Sequence, residues 1–185
     1  MQRVLHSGGR YGQQAAENRK GGGMDLVSRL VVSLKQRIGR HVSVLDYGAG
    51  NGSLGRALRD TFKNVTVTDY DPFHVDHAEK PEPGLHDMLV CLDVMEHVEE
   101  ACVGNTLRYM ADRVRYGALF VISLQDALKV LPDGRNAHVT VKNAKWWKNR
   151  LSRYFKVCEM TDYGHTGVFL CEALEAEQSL QQEAA

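Results

Sequence analysis

Residues 44–58 read VLDYGAGNGSLGRAL, and two glycine patterns overlap in them. Gly50, Gly52 and Gly55 spell G-x-G-x-x-G, the fingerprint of a dinucleotide-binding turn. Gly48, Gly50 and Gly52 spell G-x-G-x-G directly behind Asp46. Under either reading the stretch is a strand, a tight backbone turn and the start of a helix. SVLDY (43–47) is the strand, and 53–62 is a helix with Leu54, Leu58 and Phe62 on one side.

The alternation continues in both directions. Upstream, Val27, Leu30, Val31, Leu34 and Ile38 form one apolar helical stripe that Gly39 stops. Downstream, VTVTD (65–69) alternates as a strand, and DMLVCLD (87–93) is the near-continuous apolar run of a strand buried on both faces. The spacing of Val103, Leu107, Met110 and Val114 predicts a helix over 98–115, followed by a buried strand GALFVIS (117–123) and a helix over 143–154. Trp147, Leu151 and Phe155 fall at i, i+4 and i+8 and are assigned to the core. FKVCEM (155–160) and TGVFLCEAL (166–174) read as two strands joined by a turn around 162–165. Strands alternating with helices predict a mostly parallel α/β sheet, and the final hairpin predicts an antiparallel strand inserted at its end. The 14 residues between Pro72 and Asp87 leave little room for a full helix and strand, so the sheet should be abbreviated there.

A chain of 185 residues, 43% hydrophobic and 25% charged, has the size and composition of one globular domain. No apolar run approaches the ~18 residues of a membrane span, and the N-terminus lacks a signal-peptide core, which predicts a cytoplasmic protein. The four cysteines show no C-x-x-C spacing; three fall in apolar strand runs, and they read as small buried hydrophobes in a reducing compartment. His74, Asp76 and His77 are metal-ligand types but read as a solvated loop, so no metal is expected. Net charge is zero but uneven: residues 1–40 carry eight Lys/Arg against Glu17 and Asp25, while 171–185 carry four Glu and no base. Residues 1–23, with glycine runs at 8–9 and 21–23, read as a mobile basic leader, 24–174 as the domain and 175–185 as an acidic tail. The leader keeps open a phosphate-bearing partner such as nucleic acid.

The choice between the glycine patterns turns on Asp46. Starting a dinucleotide turn at Gly50 forces Asp46 and Gly48 into the end of the strand, where both are poor strand residues. Starting the turn at Gly48 ends the strand at Tyr47 and leaves a carboxylate at its carboxyl tip, in the crevice where open α/β sheets bind ligands. S-adenosylmethionine (SAM) carries an ammonium and a sulfonium and suits that carboxylate; a pyrophosphate would be repelled. Asp69 closes the second strand at roughly the ~20-residue distance where an acid takes ribose hydroxyls, which fits both cofactors.

With CLDVMEHVE (91–99) closing a strand and opening a helix, the chain resembles the class I SAM-dependent methyltransferases over most of its length. VLDYGAGNG is similar to their motif I, VTVTDYDP to their acidic-loop motif and DMLVCLDVMEHVE to their motif IV in its small-molecule form. LPDGRNAH…WW (131–147) also resembles a group of small bacterial and phage-encoded members. The resemblance implies a doubly wound, Rossmann-like sheet and a methyl transfer to an O or N atom of a small-molecule acceptor, with an anionic acceptor included. Carried over, Asp46, Tyr47, Gly48, Ala49, Gly50 and Gly52 would wrap the methionine part of SAM. Asp69 would bind the ribose and Tyr70 would lie against the adenine, while Leu92 and Asp93 would approach the amino-acid end and the methyl group. The family's adenine-contacting acid has no clear counterpart in the short 72–87 stretch.

Methyl transfer from a sulfonium needs alignment and exclusion of water, plus a base only if the acceptor arrives protonated. Leu92-Asp93-Val94-Met95 stands where amino-methylating DNA enzymes carry (N/D/S)-P-P-(Y/F), Cys91 follows Val90 rather than the proline of cytosine-C5 enzymes, and Ser123 replaces a lysine of the ribose 2′-O set. Asp93 remains a candidate catalytic carboxylate. DGRNAH (133–138) sits on the loop after strand 117–123, on the crevice side. In it Arg135 offers a fork for an anionic acceptor, Asn136 an amide, and His138 the best candidate base. His97 is read as a pocket wall or a structural histidine, and Trp146 as a pocket floor or a helix shield. Tyr11, in GGRYG (8–12), is placed as a lid residue over bound SAM. A non-catalytic SAM-binding fold serving as a partner module, and a nucleic-acid protein working through its leader, stand as alternatives.

Overall fold

The computed structural model describes residues 23–82, 84 and 86–174. Tyr11, the basic leader and the acidic tail therefore lie outside the described residues. The elements follow in the order α1 (Met24–Ile38), β1 (Val42–Tyr47), α2 (Ser53–Thr61), β2 (Val65–Tyr70), β3 (His86–Leu92), α3 (Glu100–Ala111), β4 (Val114–Ser123), α4 (Ala144–Leu151), β5 (Phe155–Asp162) and β6 (Thr166–Ala173). They build one six-stranded sheet in the order β2-β1-β3-β4-β6-β5. β1, β2, β3 and β4 run parallel, and β6 pairs antiparallel with both β4 and β5. This is the mixed sheet with a terminal antiparallel hairpin that the alternation of patterns predicts. Between Tyr70 and His86 the described residues form only a 3₁₀ turn, Val75–His77, so β2 is the edge and the sheet is abbreviated there.

Two cores flank the sheet. On one face Val27 and Val31 of α1 and Leu54 and Leu58 of α2 pack on Val42, Val44, Val65, Met88, Val90 and Leu119. On the other, Val103, Leu107 and Met110 of α3 and Trp147 and Leu151 of α4 pack on Leu45, Leu89, Cys91, Phe120 and Phe155. β3 is buried at every position, which explains its unbroken apolar sequence. Trp147, Leu151 and Phe155 are all fully buried, although Phe155 belongs to β5 rather than to the helix.

Two helices have other bounds than the sequence predicts, and two cysteines are exposed rather than buried. α3 starts at Glu100 and ends at Ala111 rather than spanning 98–115, because Val114 pairs with His86 and so begins β4. Val114 satisfies the helical spacing by coincidence; its burial comes from the strand. α4 begins one residue after Asn143, whose side chain caps it by accepting from the Trp146 amide at 2.9 Å. Cys158 is exposed, as is Cys102, because β5 is an edge strand with a register shift between Val157 and Glu159. Only Cys91 and Cys171 are the buried hydrophobes expected, and all four are free thiols.

The amino edge of the sheet is fastened by a buried carboxylate. Asp87 accepts from Arg40 (Nη2 to Oδ1, 2.6 Å; Nη1 to Oδ2, 3.0 Å) and from both the amide and the hydroxyl of Ser43. Its own amide donates back to Ser43 Oγ at 2.9 Å. Burial alone would raise this carboxyl, but the guanidinium and the Ser43 donors outweigh it and hold it below the usual carboxylate range. A group depressed in the folded state stabilises above its unfolded pKa, here ~3.9. That stability is lost as pH falls through the lower folded value. Arg40→Ala should therefore cost about 1–3 kcal/mol at neutral pH in denaturant unfolding. The wild-type advantage should shrink below about pH 4.

At the opposite edge Gly55 of α2 lies against the Asp69 side chain of β2. A Cβ on Gly55 would overlap Asp69 Oδ1, so the third glycine of the motif is required by helix-to-strand approach, not by its φ. On an open helix Gly→Ala stabilises by about 1 kcal/mol. Here the sign should reverse: Gly55→Ala is expected to lower the unfolding midpoint, and an unchanged or raised midpoint would disprove the close packing.

Candidate active site

The chain leaves β1 for β2 on one side and returns to β3 on the other, so the strand order reverses between β1 and β3. A crevice outside the carboxyl ends of those two strands is where such sheets hold ligands. The turn 48–52 lies there. Gly48, Gly50 and Gly52 all have positive φ (78°, 55° and 71°), a backbone that side chains rarely adopt. Gly48 is required twice over, because a Cβ on it would also collide with the Val94 side chain.

The end of β2 organises this turn. Tyr70 O accepts from the amides of Gly48 (2.7 Å) and Ala49 (3.2 Å). Asp71 Oδ2 accepts from the Gly50 amide at 3.0 Å, and its Oδ1 from the Phe73 amide at 2.9 Å. Asp71 went unnoticed in the sequence; the Asp-Pro pair at 71–72, a turn initiator, was the signal for it. The compact 71–77 segment then brings His77 Nε2 to within 3.1 Å of the space above Gly52. His74 and His77 stack on each other with ring centroids 5.2 Å apart, which is the packing that the histidine-rich loop serves.

Asp46 and Asp69 are register partners on adjacent parallel strands; Asp46 is buried and the Asp69 side chain is 8% exposed. Asp69 Oδ2 accepts from Arg59 Nη2 at 2.8 Å, while its Oδ1 is buried with no hydrogen-bond partner among the described residues. Tyr70 corrects an expectation. Its ring is 3% exposed and sits in the core between Tyr47 and Tyr109, with centroids 5.4 and 5.7 Å away, rather than at the crevice surface. Alternation along β2 puts it on the face opposite Asp69. Burial, with Tyr109 beside it, pushes its phenol up to about 12. Tyr47 lies in the same aromatic cluster.

Leu92 ends β3 and is buried, and Asp93 follows with φ 54°, in the left-handed region. Its amide still bonds Val121 O at 2.9 Å, so the backbone is turned without leaving the sheet. Strain of this kind at a strand's carboxyl end is common in functional sites. It swings the chain into the Met95–His97 turn, where Glu96 is buried and its Oε1 accepts from the Ser123 amide at 3.1 Å.

The loop after β4 meets that turn. His97 Nδ1 lies 2.8 Å from Ala137 O, and His138 Nδ1 lies 2.6 Å from Gln125 O. Their rings meet edge to face with centroids 4.9 Å apart. A carbonyl oxygen only accepts, so each Nδ1 carries the proton and, in the neutral ring, Nε2 carries the lone pair. Such a nitrogen can take a proton or bind a metal. Thr140 completes the join, its amide donating to Glu96 O and its hydroxyl to Val98 O.

Two loop residues have other occupations than expected, and Trp146 of α4 takes the second of the two roles given to it. Arg135 is bound by Glu99 (2.5 Å) and Asp133 (2.9 Å), two carboxylates that offset its charge and remove the reason to expect an anionic acceptor there. Asn136 spends its amide inside the loop, accepting from the amides of Ala127 and His138 and donating to Ala127 O. Trp146 packs edge to face on Trp147 beneath Arg150 (4.8 Å) and Lys142 (5.5 Å), the helix-shield arrangement. Of the DGRNAH side chains, His138 alone packs against another candidate histidine, His97.

No curated protein is similar to this chain in sequence. Among solved structures it is similar to the magnesium protoporphyrin IX methyltransferase ChlM of Synechocystis PCC 6803, solved with SAH (TM-score 0.53, 16% identity, 85% of this chain and 86% of that one). It is also similar to the mitomycin 7-O-methyltransferase MmcR (0.57, 15%, 88% and 60%) and the CurJ carbon methyltransferase (0.53, 13%, 74% and 49%). The chain thus spans about half the length of CurJ and most of ChlM. These likenesses establish the Rossmann-like methyltransferase fold. Residues 14–163 match the family described as "Methyltransferase domain", which makes the chain a member of that family and S-adenosylmethionine its indicated cofactor.

Proposed function

We propose that this protein transfers a methyl group from SAM to an O or N atom of a small-molecule acceptor. The observation that carries the reading is the placement of two different sets of groups side by side at the sheet's carboxyl edge. A glycine turn with two buried carboxylates stands at β1 and β2, and a pair of oriented imidazoles at β3 and β4. The first set suits the donor. Asp69 Oδ1, a buried acceptor lacking a donor, fits a ribose hydroxyl, and the negative charge of the acidic pair suits the ammonium and sulfonium of SAM. Tyr47, Gly48, Ala49, Gly50 and Gly52 supply the turn beneath it, with Leu92 and Asp93 as the opposite wall.

The second set suits the acceptor. His138, steadied by Gln125 O and packed on His97, is the residue assigned to activating the acceptor atom. Arg135 and Asn136 hold the loop that presents it. In the reaction the acceptor's lone pair forms the new bond to carbon as the carbon–sulfur bond breaks, its electrons passing to sulfur to give neutral S-adenosylhomocysteine. The acceptor proton passes from the activated atom to solvent. Positioning of the reacting atoms can supply about 7–11 kcal/mol of the barrier.

Two outcomes are expected. Calorimetry should show SAM and S-adenosylhomocysteine binding at micromolar strength and no NADH binding, with Asp69→Asn weakening SAM by about 1.5–3 kcal/mol; NADH binding without SAM binding would refute the reading. Once a screen with methyl-labelled SAM has found an acceptor, His138→Ala should cut turnover by on the order of 10²–10⁴ at unchanged SAM affinity.

A further inference from the structure

The geometry points to a divalent transition-metal site formed by Glu96, His97 and His138, whose open positions receive the acceptor atom. This rests on the methyltransferase reading for its role but not for its existence. One ligand atom from each of the three residues lies within 4.8 Å of the others. They come from two segments, the turn after β3 and the loop after β4, so the cluster is a convergence of distant sequence and not a run of neighbouring polar residues.

The surroundings are those of a ligand set. A metal-binding histidine donates its other ring N–H to a carbonyl or carboxylate, which fixes its tautomer and orients Nε2. His97 does this to Ala137 O and His138 to Gln125 O. The segments bearing those carbonyls are themselves pinned, by Asn136 to Ala127 and by Thr140 to Glu96 and Val98. Glu96 is fully buried, and its Oε1 accepts from the Ser123 amide, which fixes the carboxylate in place. A tetrahedral ion with ligands at ~2.1 Å needs them about 3.4 Å apart, closer than the 4.8 Å within which they stand, so binding would draw the three side chains together.

The donor chemistry names the ion class. Two neutral imidazoles and one carboxylate suit zinc and its first-row neighbours rather than calcium or magnesium, which prefer oxygen ligands. Three protein ligands leave a position open, as in catalytic rather than structural zinc sites. An acceptor hydroxyl bound there loses its proton to solvent, and its oxygen then takes the methyl group. On this account His138 activates the acceptor as a ligand, and the proton never needs to reside on its ring.

The test uses full-length, tag-free protein stripped by a chelator and titrated with Co²⁺, whose visible d–d bands report an ordered nitrogen and oxygen site. Wild type should bind one Co²⁺ per chain and release it to Zn²⁺. His97→Ala and His138→Ala should each weaken binding by more than the roughly 10–100-fold that loss of a supporting group costs. His74→Ala should leave the titration unchanged. Calorimetry with S-adenosylhomocysteine on the same samples checks folding, since the two alanine variants should bind it as wild type does. No Co²⁺ bands, bands that survive both alanine substitutions, or bands lost in His74→Ala would overturn the site. Failure to bind S-adenosylhomocysteine by a wild type that binds Co²⁺ would instead refute the methyltransferase reading.

Discussion

The crevice depends on one constraint: the backbone amides of a turn made of glycines must be satisfied without closing the space above them. The end of β2 meets it. Tyr70 O takes two of the amides and the Asp71 carboxylate takes a third. Buried amides without partners would each cost about 1–3 kcal/mol, and a turn of three left-handed glycines has no conformational preference of its own to offset that. The loop therefore holds its shape through its neighbour strand. This gives β2, although an edge strand, a role that its modest apolar content does not suggest.

The same strand explains why the glycines are so dense. Gly48 yields to Val94 from the β3 side, and Gly55 yields to Asp69 from the β2 side. The overlapping motifs of the sequence are thus two separate demands on one segment. The first three glycines are conformational and the last is steric. Their spacing reflects what presses on the loop.

Much of the fold was legible because periodicity reports burial. The unbroken run of β3 and the terminal hairpin announced themselves, and so did the shortened segment after Pro72. Boundaries failed where one residue satisfied two patterns, as Val114 does. The candidate site was less legible. Asp46, Gly48 and Asp69 lie where motif spacing put them, since β-register carries position along the strand. Tyr70 did not, because a residue beside a functional one in sequence faces the other side of the sheet. Polar residues on the 133–138 loop looked alike in sequence, yet Arg135 and Asn136 are consumed by Glu99, Asp133 and Ala127. No local pattern tells a satisfied polar group from one held in readiness; that depends on partners up to 36 positions away.

What remains after those internal bonds are assigned is the physical content of the proposed acceptor side. Arg135 and Asn136 fix the loop, Thr140 fixes the loop to the turn after β3, and the main-chain oxygens of Gln125 and Ala137 fix two imidazoles. Each layer restricts the next, so two rings that would otherwise rotate freely face each other beside a buried carboxylate. A pair of imidazoles used only as core filler would not need both Nδ1 positions held by carbonyls while one ring stays exposed. The ordering of so many groups costs side-chain entropy of up to about 2 kcal/mol each for the longer ones. An arrangement that spends it on orienting both rings makes physical sense where those rings serve the proposed site.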